Sequence, residues 1–181
     1  MIKDLHTLPA NLPIPLDDGA CNHLLGSVLP ALSFIPGSAY TNTVAIYFYP
    51  MLGRPDSPPL VGWNDIPGAR GCTPQTCAFR DSYAELKQMG VEVFGVSAQP
   101  LEDQQEAHAR LRLPFALLHD SELALTRALK LPTFEYGGLR LIKRLTIIAT
   151  GGIIRKVFYP VFPPDENARE VIAWLRESSE E

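Results

Sequence analysis

Seven consecutive residues, from Thr43 to Tyr49, are all β-branched, aromatic or alanine, and none of them is charged. Polar and apolar positions do not alternate along this run, so neither face of the strand that it predicts is suited to water. We therefore expect a strand that is buried on both faces.

Strands and helices alternate along the rest of the chain. The predicted elements are strands at 91–97 and 115–118, helices at 101–112 and 122–130, a β-hairpin at 145–158 and a closing helix at 166–176. This order predicts an α/β fold with a central mixed β-sheet flanked by helices. It is the order of the thioredoxin-like fold, and it also fits several other α/β folds.

The first forty residues differ from the rest in composition. They contain five prolines and three glycines, and Pro36-Gly37-Ser38 is a turn signal between two apolar segments. We predict an N-terminal arm with short strands at 1–40, which packs on a single thioredoxin-like domain at 41–181.

The charge of the chain excludes some classes of partner. Its formal net charge is −4 and its pI is near 5.6, so we expect neither nucleic acid nor a membrane surface as a partner.

The first six residues lack the apolar core of a signal peptide, and the apolar stretch from Val44 to Leu52 is too short to span a bilayer. We expect a cytoplasmic protein, in which three cysteines are inert, metal-binding or catalytic rather than structural disulfides.

Cys72 and Cys77 lie at the start of a predicted helix. The helix follows a long loop at 50–71 that is rich in proline and glycine. We place the helix cap at Thr73 and the first helical residue at Pro74. Free backbone N–H groups and the positive end of the helix dipole favour a nucleophilic thiolate at such a position.

Cys72 and Cys77 are five residues apart. In a continuous helix their Cα atoms would be roughly 8–9 Å apart, whereas a disulfide requires about 7 Å or less. If the two cysteines form a redox pair, the first turn of the helix must unwind after Cys72 is oxidised.

The residues alone leave other roles possible for the cysteines. Cys77 could be an inert side chain that is buried in the apolar core. A zinc site would need further ligands, and Cys21 and the four histidines show no close ligand spacing. A dithiol oxidoreductase typically has a C-x-x-C motif, which this pair does not match. Cys21 itself is interpreted as an incidental thiol in a polar stretch, where Asp17 and Asp18 raise its pKa.

Two blocks of the sequence resemble the active-site region of peroxiredoxins, the AhpC/TSA redoxin family. They are Tyr47-Phe48-Tyr49-Pro50 and the run Gly71-Cys72-Thr73-Pro74-Gln75-Thr76-Cys77-Ala78-Phe79-Arg80-Asp81. The cysteine spacing is similar to that of the bacterioferritin comigratory protein or Q-type branch, and the resemblance extends from about residue 44 to the final helix.

This resemblance implies a role for three residues. Cys72 corresponds to the peroxidatic cysteine, Cys77 to the resolving cysteine, and Arg144 to the active-site arginine. A guanidinium group at that position can hold both a thiolate and the oxygens of a peroxide.

The resemblance also implies an activity. It is that of a thiol-dependent peroxidase, which reduces hydrogen peroxide or organic hydroperoxides, forms an intramolecular disulfide and is recycled by thioredoxin or glutaredoxin. No cofactor or metal is needed for this chemistry, and the implied oligomeric state is a monomer or a weak homodimer.

The sequence departs from the family pattern at two positions. Ala69 stands where the family has a threonine, and Asp65 stands where it has a proline. Because the loop after Tyr49 is long, either Pro50 or Pro67 is a candidate for the proline that shields the thiolate.

A second hypothesis is a redox sensor or binding module that the Cys72–Cys77 disulfide switches. Its partner surface would be the loop from Met51 to Ala69, with Trp63 exposed. A third hypothesis, a general disulfide reductase, is disfavoured by the cysteine spacing.

Overall fold

The computed structural model describes residues 4–179. Residues 1–3 lie outside the described residues; they belong to the predicted arm and to the N-terminus for which no signal peptide is expected. Residues 180–181, at the end of the predicted domain, also lie outside the described residues. The strands are β1 (Thr43–Phe48), β2 (Val91–Ser97), β3 (Leu117–His119), β4 (Thr133–Tyr136), β5 (Leu139–Ile142), β6 (Leu145–Thr150) and β7 (Ile153–Phe158). The α-helices are α1 (Cys72–Gln88), α2 (Leu101–Leu111), α3 (Ala124–Ala128) and α4 (Asn167–Ser179). Short 3₁₀ helices lie at Gly37–Tyr40, Trp63–Asp65 and Pro164–Glu166.

Five strands form a central mixed sheet in the order β3-β2-β1-β6-β7. β1 and β2 are parallel, as are β2 and β3, whereas β6 is antiparallel to both β1 and β7. β1 is therefore the middle strand, and its residues from Val44 to Phe48 are all buried. The predicted strand and the predicted α/β fold with a mixed sheet are both confirmed.

Two apolar cores cover the two faces of this sheet. One core joins Ala45 and Tyr47 of β1 to side chains of α1, α2 and α4. The other joins Ile46 and Phe48 to α3 and to Leu24 of the N-terminal segment. The N-terminal segment thus supplies part of the layer opposite α1 and α4. In place of the predicted short strands, its described part has one isolated bridge, from Val28 to Ile153.

The hairpin of β4 and β5 was not predicted from the sequence. Its side chains Phe134 and Tyr136 lie against the ring of Trp63, with ring centroids 6.0 and 4.9 Å away. Trp63 is only 6% exposed, so the predicted exposure of this residue was wrong. The reason is that its cover comes from a hairpin more than sixty residues later in the chain.

The start of α1 also differs from the prediction. The helix begins at Cys72, its N-cap is Gly71, and Pro74 is its third residue. The cap predicted at Thr73 was wrong, because a glycine with positive φ turns the chain into the helix two residues earlier. Proline is tolerated at the third position, since an N–H group there has no acceptor within the helix.

Other element boundaries shift by a few residues. The closing helix, for example, begins after the 3₁₀ turn at Pro164–Glu166. Within residues 4–179, no helix combines the length and the apolar composition needed to cross a bilayer.

Candidate active site

Gly71 places Cys72 at the first position of α1. Its φ is +114°, in the left-handed region, and a Cβ atom there would lie 2.3 Å from Cγ of Pro164 and 3.0 Å from Cδ2 of Leu8. Only glycine fits both requirements. The buried sulfur of Cys72 is therefore held at the helix N-terminus, where the first N–H groups have no intrahelical acceptor.

Arg144 directly precedes β6, and its guanidinium reaches the start of α1. Nη2 donates a hydrogen bond to Sγ of Cys72 at 3.2 Å and another to the carbonyl of Ala69 at 2.9 Å. Nε donates to the carbonyl of Gly68 at 3.2 Å. Because Arg144 is buried, its cation acts on the sulfur with little screening by water.

Gln75 fixes the remaining side of this guanidinium. Its Oε1 accepts a hydrogen bond from Nη1 of Arg144 at 2.6 Å, and its Nε2 donates to Oδ1 of Asn167 at 3.1 Å. The same Oδ1 accepts from the hydroxyl of Thr146 at 2.6 Å. This buried chain of hydrogen bonds joins α1, β6 and α4, and it restricts the orientation of Arg144.

Three residues of the site were not predicted from the sequence: Gln75, Thr146 and Asn167. Gln75 lies three residues after Cys72, so both side chains occupy the same face of the helix; this spacing is a signal that could have indicated it. Thr146 is the polar residue among the buried positions of β6. The position of Asn167 depends on the packing of α4, which its sequence does not indicate.

Cys77 lies further along α1 and is half-buried. Its Sγ is 3.9 Å from Nδ1 of His6 in the N-terminal segment. Burial raises the pKa of the Cys77 thiol, and the guanidinium groups of Arg80 and Arg110 oppose that rise. Both Cys72 and Cys77 are free thiols on a continuous helix, so a disulfide between them requires the start of α1 to rearrange.

A small cavity lies beside Cys72. Its volume is about 20 Å³, and its lining includes Leu5 from the N-terminal segment, Trp63 from the long loop and Thr73. This space is sufficient for about one water molecule. A molecule that reacts with the sulfur from this side must therefore be very small, unless the lining moves.

The two departures from the family pattern occupy different environments. Ala69 is buried and offers only its backbone carbonyl, which accepts from Arg144. Asp65 is exposed. Thr73 lines the same cavity as Cys72.

Neither candidate proline lines this small cavity in the part of the chain that is described. Pro67 lines a different cavity, of about 410 Å³, together with Arg144. Pro50 is buried, and its carbonyl accepts a hydrogen bond from the hydroxyl of Ser97.

Cys21 lies on the opposite face of the sheet from Cys72. It is 4% exposed and belongs to the apolar core that includes Leu24, rather than to a polar surface stretch. Burial raises its pKa to about 12, and the carboxylates of Asp18 and Asp17 add to this shift. The predicted direction is confirmed, with burial as the larger cause.

Residues 4–179 contain no group of three or more His, Cys, Asp or Glu side chains arranged to hold a metal ion.

The sequence of this chain is similar to those of a known protein family. The model of the AhpC/TSA family matches residues 66–158, just over half of the chain. The chloroplastic peroxiredoxin Q of Sedum lineare is 30% identical over 133 residues, which cover 74% of this chain and 63% of the relative. That of Suaeda salsa is 29% identical over 133 residues, covering 74% and 55%. The chain thus spans less than two thirds of the length of these curated relatives.

Solved structures show the same fold. Peroxiredoxin Q of Xanthomonas campestris is similar with a TM-score of 0.62 and 24% identity, covering 92% of this chain and 96% of the other. A bacterioferritin comigratory protein of the same organism, described for its alkyl peroxide reduction activity, has a TM-score of 0.62 and 23% identity, covering 94% and 99%. The predicted thioredoxin-like fold is confirmed by these likenesses.

The family match includes the last residues of the loop before α1, both cysteines of α1 and Arg144. Taken with the fold and with the relatives named peroxiredoxin Q, it shows that this chain belongs to the AhpC/TSA family of peroxiredoxins.

Proposed function

We propose that this protein is a thiol-dependent peroxidase that reduces hydrogen peroxide or an organic hydroperoxide, with Cys72 as the peroxidatic cysteine and Cys77 as the resolving cysteine. The observation that carries the proposal is the 3.2 Å contact between Nη2 of Arg144 and the sulfur of Cys72 at a helix N-terminus. The relatives named peroxiredoxin Q support the same reaction class.

The first step oxidises Cys72. Its thiolate attacks one peroxide oxygen, and a sulfur–oxygen bond forms as the oxygen–oxygen bond breaks. Cys72 becomes a sulfenic acid, and the leaving oxygen takes a proton to become water or an alcohol. Arg144 stabilises negative charge first on the sulfur and then on the leaving oxygen, because its guanidinium is held in place before the reaction begins.

The second step forms the disulfide. The start of α1 unwinds, and the sulfur of Cys77 attacks the sulfenic sulfur of Cys72, so that a sulfur–sulfur bond replaces the sulfur–oxygen bond and water leaves. The free thiols and the continuous α1 correspond to the reduced state before this step.

An external dithiol protein completes the cycle. One of its thiolates attacks the Cys72–Cys77 disulfide, its second thiol resolves the mixed disulfide, and two electrons pass to this protein. By family resemblance, the reductant is thioredoxin or glutaredoxin. No cofactor or metal takes part in any of these steps.

Peroxide consumption in the presence of dithiothreitol tests the proposal. We expect turnover by the unchanged protein, none by Cys72→Ser, and nearly normal turnover by the matched control Cys21→Ser, which alters a cysteine on the other face of the sheet. Turnover that persists in Cys72→Ser would show that this residue is not the nucleophile.

A redox switch remains the second candidate function, and two observations favour it. Ala69 supplies no hydroxyl to the site, and Trp63 lines the cavity beside Cys72, so unwinding of α1 would disturb the packing around Trp63. Slow oxidation by peroxide together with a long-lived disulfide form would favour the switch over the peroxidase.

A further inference from the structure

The N-terminal segment of the chain borders the cavity beside Cys72. Residues Asp4–Leu8, which we call the strap, lie against the start of α1, where Leu8 approaches Gly71 and His6 approaches Cys77. Leu5 of the strap lines the cavity and is only 3% exposed. A Cβ atom built on Gly53 would lie 2.9 Å from Cδ2 of Leu5, so the leucine packs directly against the backbone of the long loop. It therefore fills space that a larger substrate would need.

Arg70 holds the strap in place by binding backbone carbonyl groups on either side of Leu5. Its Nη2 donates hydrogen bonds to the carbonyl of Asp4 at 2.8 Å and to the carbonyl of Thr7 at 3.0 Å. The carboxylate of Asp4 in turn accepts from the backbone N–H groups of His6 and Thr7 at 2.9 and 3.1 Å. The strap is thus a compact turn held by a guanidinium two residues before Cys72.

The space left for a substrate is small. A cavity of about 20 Å³ is close to the minimum that holds one water molecule. Hydrogen peroxide is little larger than water, whereas an aryl hydroperoxide carries a whole aromatic ring. The larger cavity of about 410 Å³ is lined by Arg144 and Pro67, and Cys72 is not among the described residues that line it. That cavity therefore does not offer a bulky peroxide direct access to the sulfur.

We propose that the strap is a size filter over Cys72, with Leu5 as the specificity-determining residue and Arg70 as its fastening. The filter admits hydrogen peroxide and excludes bulky organic hydroperoxides while the strap is in place. This inference rests on the peroxidase function proposed above and narrows its substrate class. The family match begins at residue 66, so the strap lies outside the part of the chain that the family model describes.

Stopped-flow oxidation of the reduced protein tests the filter, with hydrogen peroxide and cumene hydroperoxide as the two probes. Any purification tag is placed at the C-terminus, so that the strap is unchanged. For the unchanged protein we expect a rate constant at least about tenfold higher with hydrogen peroxide. In Leu5→Ala we expect the rate constant with cumene hydroperoxide to rise by about tenfold or more, with a much smaller change for hydrogen peroxide.

Two further variants make the result specific to the strap. Leu25→Ala is the matched control, because Leu25 belongs to the same N-terminal segment but is 65% exposed; its selectivity should equal that of the unchanged protein. Arg70→Met removes the fastening and leaves Leu5 in the sequence, so it should relax selectivity in the same direction as Leu5→Ala. It also provides a second test if Leu5→Ala does not fold.

The outcomes separate this inference from the function on which it rests. Equal rate constants for the two peroxides in the unchanged protein, or an unaltered ratio in the folded strap variants, would overturn the filter while oxidation of Cys72 by hydrogen peroxide stood. Failure of both peroxides to oxidise Cys72 in every variant would overturn the peroxidase function, and the filter with it.

Discussion

Arg144 is a buried cation whose nearest acceptors are mostly neutral. Backbone carbonyls and the amide of Gln75 accept its hydrogen bonds, and the sulfur of Cys72 is the contact among them that can carry a full negative charge. A buried charge without an opposite charge is costly. The site is therefore best matched electrostatically to an anionic sulfur and to the anionic oxygen that forms during the reaction.

Replacement of Arg144 by lysine tests this match. Lysine keeps a positive charge but cannot bond the carbonyl of Ala69, the amide of Gln75 and the sulfur at once. We expect the rate constant for Cys72 oxidation to fall by about 100-fold, measured by stopped-flow fluorescence. Arg140→Lys is the matched control, because Arg140 is exposed and pairs with Glu135 at the surface; an equal loss in both variants would contradict the role of Arg144.

The thiol of Cys77 gives the second step a characteristic pH dependence. Burial raises the pKa of Cys77 above its ordinary value of 9.0, Asp81 raises it further, and Arg80 and Arg110 lower it. Because the thiolate is the nucleophile and even the ordinary pKa of 9.0 lies above this range, the rate of disulfide formation should rise by about tenfold per pH unit from pH 6 to pH 8.

Single-turnover kinetics after one equivalent of hydrogen peroxide measure this dependence. Asp81→Asn removes a charge that raises the pKa of Cys77, so disulfide formation in that variant should be faster at neutral pH. A rate that does not change with pH in this range would show that ionisation of Cys77 does not limit the step.

At the scale of elements, the start of α1 depends on a glycine that has no room for a side chain. Gly71→Ala would meet both the left-handed φ and the ring of Pro164, whereas Gly90→Ala meets a φ of +76° with no atom within 4 Å. We expect Gly90→Ala to lower the free energy of unfolding by about 1 kcal/mol, and Gly71→Ala to lower it by a further 1–3 kcal/mol or so because of overpacking. Urea unfolding compares the two, and equal losses would contradict the close approach of Pro164.

Elements with a strong local signal were predictable from the sequence, and elements without one were not. β1, β2 and the hairpin of β6 and β7 are marked by β-branched runs, and the structure confirms them. The hairpin of β4 and β5 has only four residues in each strand and was missed. The start of α1 was misplaced because the φ of a glycine is not visible in its sequence.

In the candidate site, too, only the residues with a local sequence signal could be predicted. Its two cysteines and the arginine could be selected from motif and resemblance, since these are local. The hydrogen bond that Gln75 accepts from Arg144 and the one that it donates to Asn167 span 69 and 92 residues along the chain. Such contacts depend on how β6 and α4 pack against α1, which no local pattern determines. The burial of Trp63 by the hairpin of β4 and β5 has the same origin.

At the scale of the whole molecule, the pKa of Cys21 depends on how the N-terminal segment packs on the sheet. Burial, with Asp18 and Asp17, raises its pKa to about 12 from an ordinary value of 9.0. The stabilisation associated with the neutral thiol is fully present below pH 9.0, where both the folded and the unfolded chain keep the proton. It is lost as the pH rises towards 12, because only the folded chain still holds the proton.

Thermal or urea unfolding at alkaline pH measures this effect. We expect the free energy of unfolding to fall more steeply above about pH 9 in the unchanged protein than in Cys21→Ala, which has no thiol to ionise. Equal slopes in the two proteins would contradict the burial of Cys21 between the N-terminal segment and the sheet.

Intact-mass analysis after one equivalent of hydrogen peroxide tests the two-cysteine mechanism most directly. The reduced protein and Cys77→Ser are compared within seconds of mixing, and peptide mapping locates the change. We expect the unchanged protein to lose two hydrogens through a Cys72–Cys77 disulfide, whereas Cys77→Ser should gain one oxygen on Cys72. If Cys72 stays reduced in both, or if the unchanged protein keeps the oxygen and forms no disulfide, the mechanism is contradicted.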